Sequence, residues 1–356
     1  MSFRRTLGVF RHTVKREVVR AVFTPAVAFR TKRLIVFLTP GYDSPSGGIL
    51  SIAALYRESI AVGDLHRATV ALCTIPTQPP LLKYSWFENR NYLLDLETLI
   101  KQCGHLEYVL LHIPEYVVNP VSDWLTSNWS TLQNVKELQL NVLVQNIDLV
   151  QGQNIAGLKR FGKVTCTTAH EAYSNSTTRE ALGVSLHRLS CCNGPELYSL
   201  SEYEDKEPLL IVSPDDHPMK KEVLREIEQS LPTLNIHVIK NLHYNDYVSL
   251  TRRAKWSLTF GEGLDGYFVD TVFNGGVAFA VFNERFFTPG FANLETVYPS
   301  WDVLMTRMCD DLKRLDEPVA YKRCWKQTYD LLTDIYSTDR FRENLRMFYR
   351  SEYTFP

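Results

Sequence analysis

The sequence predicts an α/β protein built as two Rossmann-like domains, and three observations carry that reading. Short apolar, β-branched runs alternate with helical patterns over most of the 356 residues, as in a parallel sheet covered on both faces. The strand–turn–helix opening of such a domain occurs twice, from Leu34-Ile-Val-Phe-Leu38 and again from Leu209-Leu-Ile-Val212. A charged run ending in proline, Ser201-Glu-Tyr-Glu-Asp-Lys-Glu-Pro208, separates the two series.

The first element is a basic arm. Phe3, Leu7, Phe10, Val14, Val18 and Val22 recur at steps of three and four, one face of a helix that Pro25 ends. Residues 1–33 hold nine Lys/Arg against Glu17 alone, while the chain as a whole carries a net charge of −1. An amphipathic basic helix of this kind lies on anionic headgroups, or packs its apolar stripe on its own domain or a second subunit. The near-zero total charge gives no case for nucleic acid.

From Arg33 the pattern turns to strand, then to Thr39-Pro-Gly-Tyr-Asp-Ser-Pro-Ser-Gly-Gly48, then to a helix over 49–62. Further strands are expected at 68–74, 108–113, 138–145, 163–168 and 188–192. The strand Tyr108-Val-Leu-Leu-His112-Ile-Pro-Glu115 closes in polar residues, at the end of a strand where open α/β sheets bind ligands. Thr168-Ala-His170-Glu171 is another strand end entering a helix.

The second series runs through Lys220 and Lys221 at a helix start, a strand over 235–240, a helix over 247–254, and then Thr259-Phe-Gly-Glu-Gly-Leu-Asp-Gly-Tyr-Phe-Val-Asp270. Glycines between strand and helix let the backbone approach an anion, and the helix start offers N–H groups and a positive dipole end. Two helical stretches rich in Tyr, Phe and Arg follow, at 301–312 and 318–348. Asp215-Asp216-His217 lies on a loop with no distant partner ligand, which seldom chelates. The seven cysteines are odd in number, contain no CxxC pair and sit mostly among apolar neighbours, so they read as buried free thiols. No apolar run is long enough to span a bilayer, and the N-terminus has no unbroken apolar core of a secretion signal.

Here the chain resembles a family. The run from Glu262 to Asp270, followed by Asn274-Gly-Gly-Val277, looks like the Glu-x7-Glu signature and strand entry of GT-B glycosyltransferases, most like the large retaining families (family four-like). Asp270 stands where the second Glu is usual, and Gly276 where Pro is usual. Ser46-Gly47-Gly48 is similar to the N-terminal glycine loop of these enzymes, His112 to a histidine near the transferred sugar, and Lys220 or Lys221 to the basic residue that neutralises the leaving diphosphate.

The resemblance implies two facing Rossmann-like domains with an interdomain cleft. The divisions expected are an arm at 1–32, an acceptor domain at 33–205, a donor-binding domain at 206–335 and a last helix at 336–356 crossing back to the acceptor domain. It implies transfer of a sugar from a nucleotide-sugar donor to a hydroxyl of a glycan or lipid-linked glycan, with retention and no metal or other cofactor. Glu262 would hold sugar hydroxyls and Asp270 the ribose, with Gly263, Asp265, Gly266 and Tyr267 lining the donor. Retention uses the donor phosphate as base; inversion would need a protein base, for which Glu115, Asp43 and His170 are candidates. With the basic arm, the expected setting is cytoplasmic, peripheral at the inner face of a plasma membrane through residues 1–24, the product a bacterial surface polysaccharide.

Two rivals share the frame: a nucleotide-sugar epimerase, and a non-catalytic subunit of a glycan-assembly complex. A dehydrogenase fits less well, since no G-x-G-x-x-G follows either opening strand.

Overall fold

The computed structural model describes residues 31–44, 46–87 and 92–356, so the expected N-terminal helix lies outside the described residues. The chain divides into two compact units. The first holds the described residues up to His170, then Ser174–Leu189 and Arg342–Pro356; the second holds Glu171–Tyr173 and Ser190–Phe341.

The first unit is a six-stranded sheet in the order β2-β1-β3-β4-β5-β6, every neighbouring pair parallel. Its strands are β1 (Arg33–Thr39), β2 (Thr69–Thr74), β3 (Tyr108–Pro114), β4 (Glu137–Val144), β5 (Lys163–Thr168) and β6 (Ser185–Arg188). Leu34 to Leu38 are wholly buried, as expected of a central parallel strand covered on both faces. The main helices are α1 (Gly47–Ala61), α2 (Leu96–Cys103), α3 (Val118–Ser127) and α4 (Ser176–Leu182). Each of α1, α2 and α4 starts on a side-chain cap, from Ser46, Asp95 and Asn175.

The last strand starts earlier than 188, because Gly183 closes α4 in the left-handed conformation and pairing begins at Ser185. It stops at Arg188 because Ser190 takes φ 69°. The chain terminus completes this edge. Phe355 bridges Leu186 antiparallel, His187 Nε2 bonds Asn344 O at 2.7 Å, and Arg188 N–H donates to Thr354 Oγ1 at 3.1 Å.

The second unit is a five-stranded parallel sheet in the order β11-β10-β9-β7-β8. Its strands are β7 (Glu207–Val212), β8 (Asn235–Val238), β9 (Ala254–Leu258), β10 (Val277–Val281) and β11 (Val297–Tyr298). Its helices are α5 (Lys220–Ser230), α6 (Tyr244–Arg253), α7 (Gly266–Phe273), α8 (Trp301–Leu315) and α9 (Pro318–Ile335). Trp256, Phe279, Tyr298 and Tyr321 form its aromatic core with Leu304, Met308 and Leu312. The stretch expected as one helix from 318 is two, α9 and α10 (Thr338–Tyr349), because Tyr336 leaves helical geometry at ψ 115°. From Arg342 onward α10 belongs to the first unit.

The division at Leu189/Ser190 falls before the charged run that was expected to mark it. That run is strapped to the second unit. Tyr203 Oη donates to Asp316 Oδ1 at 2.9 Å and its ring takes the Lys255 ammonium at 3.9 Å, while Ser201 N–H donates to Asn274 O. Among the described residues no helix is long and apolar enough to cross a membrane. Cys73, Cys103, Cys166 and Cys324 are buried thiols.

Candidate functional site

In each sheet the chain reverses direction across one strand, and that reversal opens a crevice at the carboxyl ends of the strands where ligands of open α/β sheets bind. In the first unit the reversal is at β1, flanked by β2 and β3; in the second it is at β7, flanked by β8 and β9. Of the residues singled out from sequence, Gly47, Gly48, Glu115 and His170 follow strands of the first sheet, and Lys220, Glu262, Asp265, Gly266 and Asp270 follow strands of the second.

At the first, the loop after β1 leads into α1. Ser46 caps the helix through Ile49 N–H, a Cβ at Gly47 would meet nothing within 4 Å, and Gly48 O accepts from Gln145 Nε2 at 3.1 Å. Glu115 follows β3 directly. It is 1% exposed; its Oε1 accepts from Asn146 N–H at 2.9 Å, and among the described residues its Oε2 has no hydrogen-bond partner. Burial raises this carboxyl to about 7, against the opposing pull of backbone N–H groups of Asn146, Glu115 and Gln145. His170 follows β5, is buried, and is lowered to about 4 by that burial, so it is neutral near pH 7. Asp43 is engaged elsewhere, accepting from Ser85 N–H at 2.9 Å and Ser85 Oγ at 2.5 Å.

His112 does not reach the crevice. Strand β3 continues past it to Pro114, and its ring lies stacked on Phe37 at 4.1 Å with Phe348 at 5.6 Å. Asn141 Nδ2 approaches its Nδ1 at 3.0 Å, and burial lowers it to about 3. A neutral imidazole walled in by aromatic rings is a core residue out of a substrate's reach, a correction to the role expected at a strand end.

At the second point the loops after β7 and β9 meet. A Cβ added to Gly261 would come within 2.9 Å of the Asp215 carboxyl group, so glycine is what lets the loops touch. Ser213 Oγ accepts from Phe260 N–H at 2.9 Å and ties the loops together. Lys220, at the start of α5, reaches back and donates to Ser213 O at 2.6 Å and Asp215 O at 2.8 Å. Burial lowers its ammonium against the pull of Asp215 and Asp216. Lys221 is exposed on α5. His217 packs against Trp301, centroids 4.0 Å apart and planes tilted by 31°, an aromatic packing role. Among the described residues no group of three or more His, Cys, Asp or Glu is arranged to hold a metal.

Glu262 stands on the glycine loop, half-buried, and Gly263 beside it takes φ 85°, with its carbonyl accepting from Thr259 Oγ1 at 3.0 Å. Asp265 is the N-cap of α7 and accepts from Phe268 N–H at 3.1 Å. Burial first, then the charges of Asp215 and Glu262, hold its carboxyl well above the ordinary value. The start of α7 near Gly266 therefore carries its own carboxyl group, where free N–H groups were expected.

Asp270, one turn further, is held on both oxygens. Tyr198 Oη donates to Oδ1 at 2.6 Å and Tyr247 Oη to Oδ2 at 2.8 Å. Burial raises Asp270, and the hydroxyls of Tyr198 and Tyr247 and the side-chain amide of Asn193 pull it back. Tyr267 stands edge-on to Tyr247 at 5.7 Å. Burial raises the Tyr336 hydroxyl, and the charges of Cys191, Glu262, Asp265 and Asp270 add to it. The sequence reading missed Tyr198, Tyr247 and Tyr336; no local spacing links them to Asp270.

Two all-parallel α/β units of this topology are the architecture of the GT-B glycosyltransferases. Solved structures bear this out. The chain is similar to HepE of Anabaena, solved with UDP-glucose, at 10% identity and TM-score 0.57, covering 89% of this chain and 99% of that one. It is similar to sucrose-phosphate synthase of Thermosynechococcus elongatus at 11% identity and TM-score 0.54, covering 90% and 99%. The trehalose-6-phosphate synthase of Burkholderia multivorans matches at 11% identity and TM-score 0.53, covering 90% and 98%. No family model matches the sequence, and no curated protein is significantly similar to it.

Proposed function

We propose that the protein is a glycosyltransferase that takes its sugar from a nucleotide-sugar donor held by the second unit. The observation that carries the reading is the grouping of Glu262, Lys220 and the tyrosine-held Asp270 around one glycine loop at the reversal point of that sheet. HepE, of the same fold, was solved with UDP-glucose, which supports a nucleotide sugar as donor.

In this reading Glu262 accepts from sugar hydroxyls, and the Asp270 group, with Tyr198 and Tyr247, receives the ribose. Lys220 and the N–H groups around Gly263 meet the diphosphate, with Tyr267 beside them. As the carbon–oxygen bond to the diphosphate breaks, negative charge grows on the leaving oxygen, and a fixed cation with oriented N–H groups stabilises it without reorganisation. That supply of positive charge lets transfer run without a metal. Lys221, exposed on its helix, has no part in it.

The acceptor is a hydroxyl of a glycan or lipid-linked glycan of a bacterial surface polysaccharide, approached by the first unit's Gly47-Gly48 loop, Glu115 and His170. The resemblance of the Glu262–Asp270 run to retaining enzymes favours retention at the anomeric carbon.

A thermal-shift series of nucleotides and nucleotide sugars on wild type and Asp270→Ala tests the donor half. Ligand at a hundredfold excess over its Kd adds about 2.7 kcal/mol to the folded state. A shift with one nucleotide class, absent in the variant, supports the reading; no shift with any nucleotide sinks it. Proton NMR of the glycoside product then reads its configuration.

A further inference from the structure

The opposite edge of the first sheet, where the strands begin, carries a feature that glycosyl transfer does not use. A cavity of about 340 Å³ opens there at the starts of β4 and β5, with Trp129, Phe161, Leu132 and Leu138 among its walls and Lys136 and Lys163 at its rim. The Trp129 and Phe161 rings pack against each other, centroids 5.3 Å apart and planes tilted by 45°. Arg160 lies over Phe161 at 4.6 Å while donating to Ser122 Oγ and Thr126 Oγ1. Both rim lysines are exposed to solvent.

This edge is also where the basic arm joins the fold. Lys32, next to the first described residue, and Lys136 both pair with Glu107, at 3.2 and 3.8 Å. Strands β1 and β4 have only β3 between them, so the arm's attachment and the cavity are about 10 Å apart. Among the described residues, Lys32 and Lys136 pair with Glu107, Glu137 lines the cavity, Lys163 lies over the Tyr353 ring and Arg160 is held by hydroxyls. Residues 1–30 add seven Lys/Arg against Glu17. Exposed lysines over an apolar cavity suit an anionic surface with apolar depth, as does the composition of residues 1–30.

We propose that the strand-start edge of the first sheet is a docking surface for an anionic lipid bilayer. The lysines meet headgroup phosphates, and an acyl chain enters the cavity beside the packed ring pair of Trp129 and Phe161. Cations at such a surface act additively, and apolar rings beneath them seat at the headgroup boundary. The inference stands independently of the proposed activity, and the crevice at the other edge of the sheet stays open to substrate.

The test is co-sedimentation of the full-length protein with phosphatidylcholine vesicles containing or lacking phosphatidylglycerol. Wild type is expected to pellet with the anionic vesicles only, and less so as salt rises. Reversing two surface charges, Lys136→Glu with Lys163→Glu, is expected to weaken that binding at least about tenfold, with the melting temperature unchanged. Brominated phosphatidylcholine mixed with phosphatidylglycerol is expected to quench tryptophan fluorescence in wild type, and to quench clearly less in Trp129→Phe.

The proposal is overturned if wild type ignores anionic vesicles. It is equally overturned if the double variant binds as wild type does while Arg4→Gln with Arg5→Gln and Arg11→Gln abolishes binding, which would assign the membrane to the arm alone. Stabilisation by inorganic phosphate that is lost in the lysine variant, without vesicle binding, would assign the cavity to a soluble anion and overturn it too.

Discussion

Replacing Glu115 by glutamine is the sharpest test of the first unit's electrostatics. The carboxyl group is 1% exposed and its ordinary value of 4.5 is raised to about 7, chiefly by burial. Below the unfolded value both states are protonated and the group's contribution is fully present. Between about 4.5 and 7 the unfolded chain releases its proton while the folded one keeps it, so stability falls by about 1.4 kcal/mol per pH step. Above about 7 the loss is complete, at about 3 kcal/mol. The Glu115→Gln variant keeps an acceptor for Asn146 N–H and has no proton to lose. Urea unfolding of both proteins at about pH 5 and about pH 8 measures the difference. The variant is expected to lose about 2.5 kcal/mol less than wild type between those conditions, and to be the more stable of the two at the higher pH. A difference below about 1 kcal/mol would refute the reasoning, because it would mean the carboxylate is solvated or paired on its second oxygen.

Three further outcomes follow from the geometry. Tyr198→Phe and Tyr247→Phe each remove one hydroxyl donor from Asp270, costing about 1.5–3 kcal/mol for a charge-assisted bond, and calorimetric titration should show UDP binding weakened about tenfold by either. Undiminished binding in both variants would take Asp270 out of the donor site. Gly263→Ala places a Cβ at φ 85° and within 2.5 Å of Phe287, so the melting temperature should fall by several degrees, reflecting about 1–3 kcal/mol of strain; an unchanged melting point would show the loop can adjust. Lys220→Met leaves the carbonyls of Ser213 and Asp215 without their donor and removes the cation, so turnover should drop at least about a hundredfold with the melting point lowered, while Lys221→Met should leave both as they are. Equal effects from the two lysines would contradict their assignment.

What the sequence made legible was local. The strands at 34–38 and 209–212 and the loop around Gly261 and Gly263 could be read because apolar runs and left-handed turns are dictated by neighbouring residues. His112 misled because its surroundings, Phe37 and Phe348, come from far along the chain, and nothing in Tyr108–Pro114 says which strand face they cover. Asp270 was legible as an acid one helical turn past a glycine loop. Its tyrosine partners, supplied by a segment before β7 and by α6, were not. The charged run before β7 looked like a linker by composition, yet Tyr203 binds it to Asp316 and Lys255, contacts that only the folded sheet creates. Asp265 was counted with the donor loop because it stood among glycines; its capping bond to Phe268 gives it a structural task as well.

The return of Arg342–Pro356 to the first unit governs how the protein is made. On a ribosome the strands β1 to β6 emerge early, but the edge of β6 stays unpaired until Phe355 arrives, and His187 waits for Asn344 and Thr354. The unit that starts first is thus finished last, after the whole of the other has been synthesised. A chain cut before Phe355 would leave the β6 edge open, a template for pairing with other chains.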